Sequence, residues 1–191
     1  MKIFSITGWS GSGKTTLITR LIKHFKLKNK IVIVVKGAPH RYYVEPESTD
    51  TFKFLEAGAD EVCLAAAKEM MTMRSITSKQ EVFDFLEKQY ADCDILLIEG
   101  LRKDDIPLIE VFDSTQNKTL KFPIEALVAV VSDKPVTNTI PNFNRNDITE
   151  ISHFMEDYNG YTTRNQPGSF NVTRPGYSPQ SLCNGNIFQC Y

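Results

Sequence analysis

Gly8-Trp9-Ser10-Gly11-Ser12-Gly13-Lys14-Thr15 has the spacing G-x-x-x-x-G-K-[ST], and these residue types in that order can hold the phosphates of a nucleotide. Glycines allow consecutive backbone N–H groups to turn inward onto phosphate oxygens, so Gly8, Ser10, Gly11, Ser12 and Gly13 form the cradle. A helix beginning near Lys14 adds the partial positive charge of its N-terminus. Lys14 then reaches the β- and γ-phosphates, the Thr15 hydroxyl ligates Mg²⁺, and Thr16 holds the first turn. Ordinary residue frequencies give this spacing in about one chain in a hundred of this length. A dinucleotide-type loop does not fit, because Thr16 stands where a third small residue is needed and lysine has no place there.

The elements that must position this loop follow from hydrophobic pattern. An apolar run, Ile3 to Ile6, precedes the loop, and Leu17, Ile18, Leu21, Ile22 and Phe25 recur at helical spacing after it. That helix should end near Leu27 in a lysine-rich turn, where cations offset the helix dipole. Ile31 to Val35 reads as a strand buried on both faces, and Lys36 to Pro46 as a loop. The pattern predicts a helix from Ser48 to Ala57 closed by Gly58, a strand at Glu61 to Ala65, and an amphipathic helix at Ser78 to Gln89. Strands at Asp94 to Ile98, Ile106 to Phe112 and Ala126 to Val131 follow, with a last helix at Asp147 to Asp157. This alternation implies an α/β fold of the P-loop NTPase kind, a mostly parallel doubly wound sheet with helices on both faces. Its ligand belongs at the carboxyl ends of the strands.

That rule selects Glu99, which follows Ile95-Leu96-Leu97-Ile98 and should emerge beside the phosphate loop. A carboxylate there can hold Mg²⁺, directly or through water, or orient an attacking water, so Lys14 and Glu99 are the candidate catalytic pair. Asp94 opens the same strand at the far edge, where a metal role is poorly placed. Asp50 stands near a predicted helix N-terminus, where the dipole favours a carboxylate with or without a function. His40, Arg41, Tyr42 and Tyr43 sit in the loop leaving the second strand, where touching a ligand and stiffening the loop are both open readings.

Composition excludes several classes. The chain has 191 residues with 41% hydrophobic content, enough for one sizeable core. Its 22 basic and 23 acidic residues leave a net charge of −1, which gives no electrostatic case for a nucleic-acid partner. The N-terminus enters a strand without a basic and apolar leader, and no apolar run approaches membrane-spanning length, so a cytoplasmic protein without membrane contact is expected. Cys63, Cys93, Cys183 and Cys190 are scattered and read as free thiols. From Asn159 to Tyr191 the chain lacks Asp, Glu and Lys and carries four glycines and three prolines. The expected organisation is a nucleotide-binding domain over 1–158 and an irregular tail over 159–191.

An ordered set of segments adds a resemblance. Ser5 to Leu17, Asp50-Thr51 leading to Glu56-Ala57-Gly58-Ala59-Asp60-Glu61-Val62, Ile98-Glu99-Gly100-Leu101-Arg102, and Ile106-Pro107-Leu108-Ile109-Glu110-Val111 together resemble the molybdopterin-guanine dinucleotide biosynthesis adapter protein family, over about residues 1–156. The resemblance implies a small, often homodimeric GTP-binding protein with weak Mg²⁺-dependent GTPase activity. It also implies a partner guanylyltransferase, which joins GMP to molybdopterin. Gly13, Lys14, Thr15 and Thr16 match the family's phosphate and magnesium site, Glu99 its acidic strand end, and Asp50 an acid that would face the metal. Arg102 matches a basic position that could bind a pterin phosphate or a partner's carboxylate.

The chain departs from that pattern after the second strand. Lys36-Gly37-Ala38-Pro39-His40 keeps the lysine and one histidine but lacks the acid between them. An Asn-Lys-x-Asp guanine-reading segment is also missing. Asp133, in Ser132-Asp133-Lys134-Pro135, could accept hydrogen bonds from guanine N1 and N2 or simply belong to a polar turn before proline. A small-molecule kinase would need an arginine-rich lid, which Thr72 to Gln89 does not provide, and a metal-delivery GTPase would need a Cys/His cluster, which Cys63 and His40 do not form.

Overall fold

The structure is a computed structural model that describes residues 1–38 and 49–160. Its elements in chain order are β1 (Lys2–Thr7), α1 (Lys14–Leu27), β2 (Val32–Lys36), α2 (Asp50–Glu56), β3 (Glu61–Ala65), β4 (Met70–Arg74), α3 (Lys79–Gln89), β5 (Ile95–Glu99), β6 (Leu108–Phe112), β7 (Ala129–Ser132), β8 (Asn142–Asn144) and α4 (Ile148–Asp157), with a 3-10 turn at Ile124–Ala126. The described residues fall into two compact units, 1–38 with 88–160, and 49–87.

The first unit is built on a six-stranded sheet in the order β2-β5-β1-β6-β7-β8. Every neighbouring pair in it is parallel. Its central strands are buried at nearly every position because parallel strands are covered on both faces. Phe4, Ile6, Ile95, Leu97, Ile109, Val111, Ala129 and Val131 share one core with Leu17, Leu21 and Phe25 of α1 and Ile151 and Met155 of α4. The other face carries Leu108, Phe112, Leu127 and Val130, with Leu120 and Phe122 of the β6–β7 connection packed against them. The mostly parallel sheet with helices agrees with the expected class.

Local chemistry explains the borders. α1 ends where Asn29 takes a left-handed conformation, φ 56°, and the N–H of Lys30 closes onto the carbonyl of Phe25. Asp94 accepts the N–H of Ile31 at 2.7 Å and stands 3.3 Å from the ammonium of Lys30, so its role is to join the starts of β2 and β5. The stretch read as a strand from Ala126 begins with the 3-10 turn, and β7 starts at Ala129.

In the second unit Thr49 caps α2, its hydroxyl accepting the N–H of Phe52, and Gly58 ends the helix at φ 99°. β3 has the predicted bounds, but it does not join the parallel sheet. It pairs antiparallel with β4, Glu61 opposite Arg74 and Ala65 opposite Met70. Pattern reading missed β4 because Met70-Met71-Thr72-Met73-Arg74 has one β-branched residue and no clean alternation. β8 was missed too, being only the three residues Asn142–Asn144.

Candidate phosphate-loop site

β1 delivers the chain to the carboxyl edge of the sheet at Thr7, and α1 carries it away from Lys14. The turn between them depends on glycine. Gly8 has φ 139°, and a Cβ there would lie 2.3 Å from the carbonyl oxygen of Val111 in β6. Gly13, the N-cap of α1, has φ 95°. The loop therefore lies directly over the ends of β1 and β6 with its backbone turned as a phosphate cradle requires.

Lys14 spans the mouth of this loop, its ammonium donating to the carbonyls of Trp9 at 2.7 Å and Gly8 at 3.2 Å. Burial lowers its pKa from the ordinary lysine value, an effect opposed by the nearby Glu99 carboxylate. Ser12 is fully buried and its hydroxyl has no hydrogen-bond partner among the described residues. An orphaned hydroxyl beneath a glycine cradle fits an anion in the loop. Trp9 is anchored through its indole N–H to the carbonyl of Thr119, and Thr16 is exposed in the first turn of α1.

Glu99 ends β5, next to β1 in the sheet, and its Oε1 lies 3.4 Å from Oγ1 of Thr15. This is the approach that a magnesium site of this type needs: one hydroxyl and one carboxylate on the loop's flank, with phosphates and waters to complete the shell. Among the described residues no group of three or more His, Cys, Asp or Glu side chains is placed to hold a metal by itself. Lys36 sits opposite Glu99 in the β2–β5 register, and the N–H of Gly37 donates to the Glu99 carbonyl at 2.6 Å.

The remaining expected residues are placed differently. Asp133 follows β7 on the other flank of the loop, with its Oδ1 2.7 Å from Nε of Arg145. Arg102 pairs with Asp104 at 3.3 Å and stacks over the Phe122 ring at 5.0 Å. It lines a cavity of about 240 Å³ with Pro107, Leu108, Val128 and Tyr158, at the amino ends of β6 and β7. Asp50 lies in the second unit, in the first turn of α2, well exposed and 3.5 Å from the ammonium of Lys53. His40, Arg41, Tyr42 and Tyr43, together with Cys183 and Cys190, lie outside the described residues. Of the other cysteines, Cys63 is exposed and Cys93 is buried, with burial pushing its thiol up to about 12.

Sequence reasoning missed two neighbours of the loop. Gln116, in the turn after β6, has its Oε1 2.9 Å from where a Cβ on Gly11 would sit. Arg145, after β8, brings Nη1 within 3.5 Å of the corresponding position on Gly13. Gln116 stands in no recognisable motif and Arg145 in Asn144-Arg145-Asn146-Asp147, an Asn-Lys-x-Asp pattern with arginine for lysine; the parallel order β1-β6-β7-β8 brings both to the loop.

Known proteins agree with this arrangement. The family model described as Molybdopterin guanine dinucleotide synthesis protein B matches residues 3–133. The Molybdopterin-guanine dinucleotide biosynthesis adapter protein of Haemophilus influenzae is 32% identical over 160 residues, covering 82% of this chain and 88% of that protein. The protein of that name from Escherichia coli is 24% identical, covering 82% and 92%. Among solved structures, a molybdopterin-guanine biosynthesis protein B matches with TM-score 0.57 and 26% identity, covering 80% of this chain and 96% of that one. The MobB of Bacillus subtilis matches with TM-score 0.59 and 21% identity, covering 83% and 100%, a likeness of fold. With a parallel sheet, a lysine-bearing glycine loop and an acid beside its threonine already in place, a model match over most of the chain leaves one assignment: this chain belongs to the Molybdopterin guanine dinucleotide synthesis protein B family.

Proposed function

We propose that this chain binds GTP and Mg²⁺ at the phosphate loop, hydrolyses GTP weakly, and serves as an adapter in making the guanine dinucleotide form of molybdenum cofactor. Its partner is the guanylyltransferase that joins GMP to molybdopterin. The adapter role is that of the relatives' names. What carries the nucleotide reading is the approach of Thr15 to Glu99 at 3.4 Å beside the lysine-bridged loop. Lys14 and the N-terminus of α1 supply positive charge to the phosphates, and Thr15 and Glu99 hold the metal. Bound Mg²⁺ neutralises the β- and γ-oxygens. Arg102 contacts a pterin phosphate or a carboxylate of the partner. The protein works as a homodimer in the cytoplasm.

Titrating the protein with GTP, ATP and their magnesium complexes, and following phosphate release with and without the guanylyltransferase, tests this reading. Lys14→Ala should weaken nucleotide binding by about 3 kcal/mol, the loss expected when one member of a buried charged pair is removed. Glu99→Gln should leave binding largely intact while slowing hydrolysis about a hundredfold or weakening its magnesium dependence. A preference for ATP, with phosphate passed to a small acceptor, would overturn the adapter assignment.

A further inference from the structure

We infer that Arg145 and Asp133 act as a pair that reads the edge of the guanine base, an inference that rests on the nucleotide-binding reading above. Thr15 and Glu99 mark the metal's flank of the phosphate loop, on the β5 side of β1. In the inferred pose the base lies over the opposite flank, at the ends of β6, β7 and β8. Arg145 and Asp133 stand there. The Arg145 guanidinium is held at two nitrogens: Nη2 donates to the carbonyl of Phe112 at 3.1 Å, and Nε lies 2.7 Å from Oδ1 of Asp133, off the line of a hydrogen bond. Among the described residues Nη1, nearest the loop at Gly13, makes no hydrogen bond, and Oδ2 of Asp133 makes neither hydrogen bond nor ion pair.

The segments that carry the pair are also braced. Ser132 Oγ donates to the Lys134 carbonyl at 2.6 Å, Asn142 Nδ2 donates to Ser132 Oγ at 3.0 Å, and Arg20 of α1 donates to the Arg145 carbonyl at 2.9 Å. The result is a guanidinium edge with free N–H groups at Nη1, next to the loop at Gly13, beside a free carboxylate oxygen of Asp133. Guanine presents the complementary order on its edge, the O6 acceptor beside the N1–H and N2–H donors. Adenine presents the reverse, an N6 amino donor beside an N1 acceptor, so the pair would face it donor to donor and acceptor to acceptor. This supplies base selection without an Asn-Lys-x-Asp segment.

Binding of GTP, ATP and xanthosine triphosphate (XTP) to the wild type, Arg145→Ala and Asp133→Asn tests the pair. Arg145→Ala should lower the ratio of GTP to ATP affinity by about tenfold or more, as expected for loss of a base-edge contact. Asp133→Asn should gain affinity for XTP and lose it for GTP, because an amide donor matches the C2 carbonyl of xanthine; damage to the fold cannot produce that gain. An unchanged GTP to ATP ratio in Arg145→Ala, or no gain of XTP binding in Asp133→Asn, would overturn the inference. If the wild type binds GTP and ATP equally and Lys14→Ala abolishes both, base reading fails while the phosphate loop stands. If the wild type binds no nucleotide, both readings fall.

Discussion

Glu99 and Glu110 are both strand glutamates, and their surroundings give them opposite tasks. Glu99 is partly open at the end of β5, next to Thr15. Glu110 is fully buried within β6, and its two oxygens accept the N–H groups of Lys121 at 2.6 Å and Phe122 at 3.1 Å. It fastens the β6–β7 connection to the sheet. Glu110→Gln turns an amide N–H₂ toward one of those donors and should lower stability by about 1–3 kcal/mol, read by urea denaturation. Burial pushes the Glu110 pKa up, against the pull of those two N–H groups. A raised carboxyl pKa favours the fold below the ordinary value of 4.5, a gain lost as pH rises through the folded pKa. Asp113 has the opposite sign, because its hydrogen bonds from Thr115 lower its pKa. Its contribution is present above the ordinary value of 3.8 and lost as pH falls through the folded value. Asp113→Asn should therefore give a shallower loss of stability over the acid limb, followed by thermal melting at stepped pH.

At the scale of elements, α1 and α4 bury one face of the sheet together. Met155 and Ile151 of α4 are fully buried against the core that holds Leu21 and Phe25 of α1. Met155→Ala should cost about 2–5 kcal/mol, measured as a lower urea midpoint with an unchanged slope. The hydroxyl of Ser152 and Nε2 of His24 lie 2.9 Å apart, a polar contact between the same helices. Most of these elements were legible in the chain. Apolar runs marked β1, β5 and β6, and helical spacing marked α1, α3 and α4, because burial sets those periods; β2, read as buried on both faces, is a strand but a half-buried one at the sheet edge. The loop and Glu99 were legible as well, since glycine spacing and the end of an apolar run are local properties. β4, β8 and the 3-10 turn were not. Their residues have weak strand propensity, and what makes β4 and β8 strands is pairing with β3 and β7, partners that propensity does not specify.

On the scale of the whole molecule, the chain leaves the sheet after β2 and returns to it at β5, and the described residues between them form a second unit with its own antiparallel hairpin. The last described turn closes on the first strand: Lys2 donates to the carbonyl of Tyr158 at 2.6 Å, and the Tyr158 ring packs at a tilt against Phe4 and Phe154. A chain ending at Gly160 should therefore keep the melting temperature and nucleotide affinity of the full chain within about 2 °C and twofold; a loss of several degrees would place part of the fold's support in the segment beyond. Among the described residues no helix is long and apolar enough to cross a membrane.

The sequence by itself determined the phosphate loop, the helix behind it and the acid at the end of β5, because glycine freedom, helical periodicity and strand burial are written in neighbouring residues. Only the tertiary structure decided what surrounds them. Strand order placed Glu99 on one flank of the loop and Asp133 with Arg145 on the other, although Arg145 follows Gly13 by more than a hundred residues. It also carried Arg102 away to the amino ends of β6 and β7. The physical reason is that a parallel sheet brings the carboxyl ends of distant strands to one edge, and which strands become neighbours depends on how the whole core is filled.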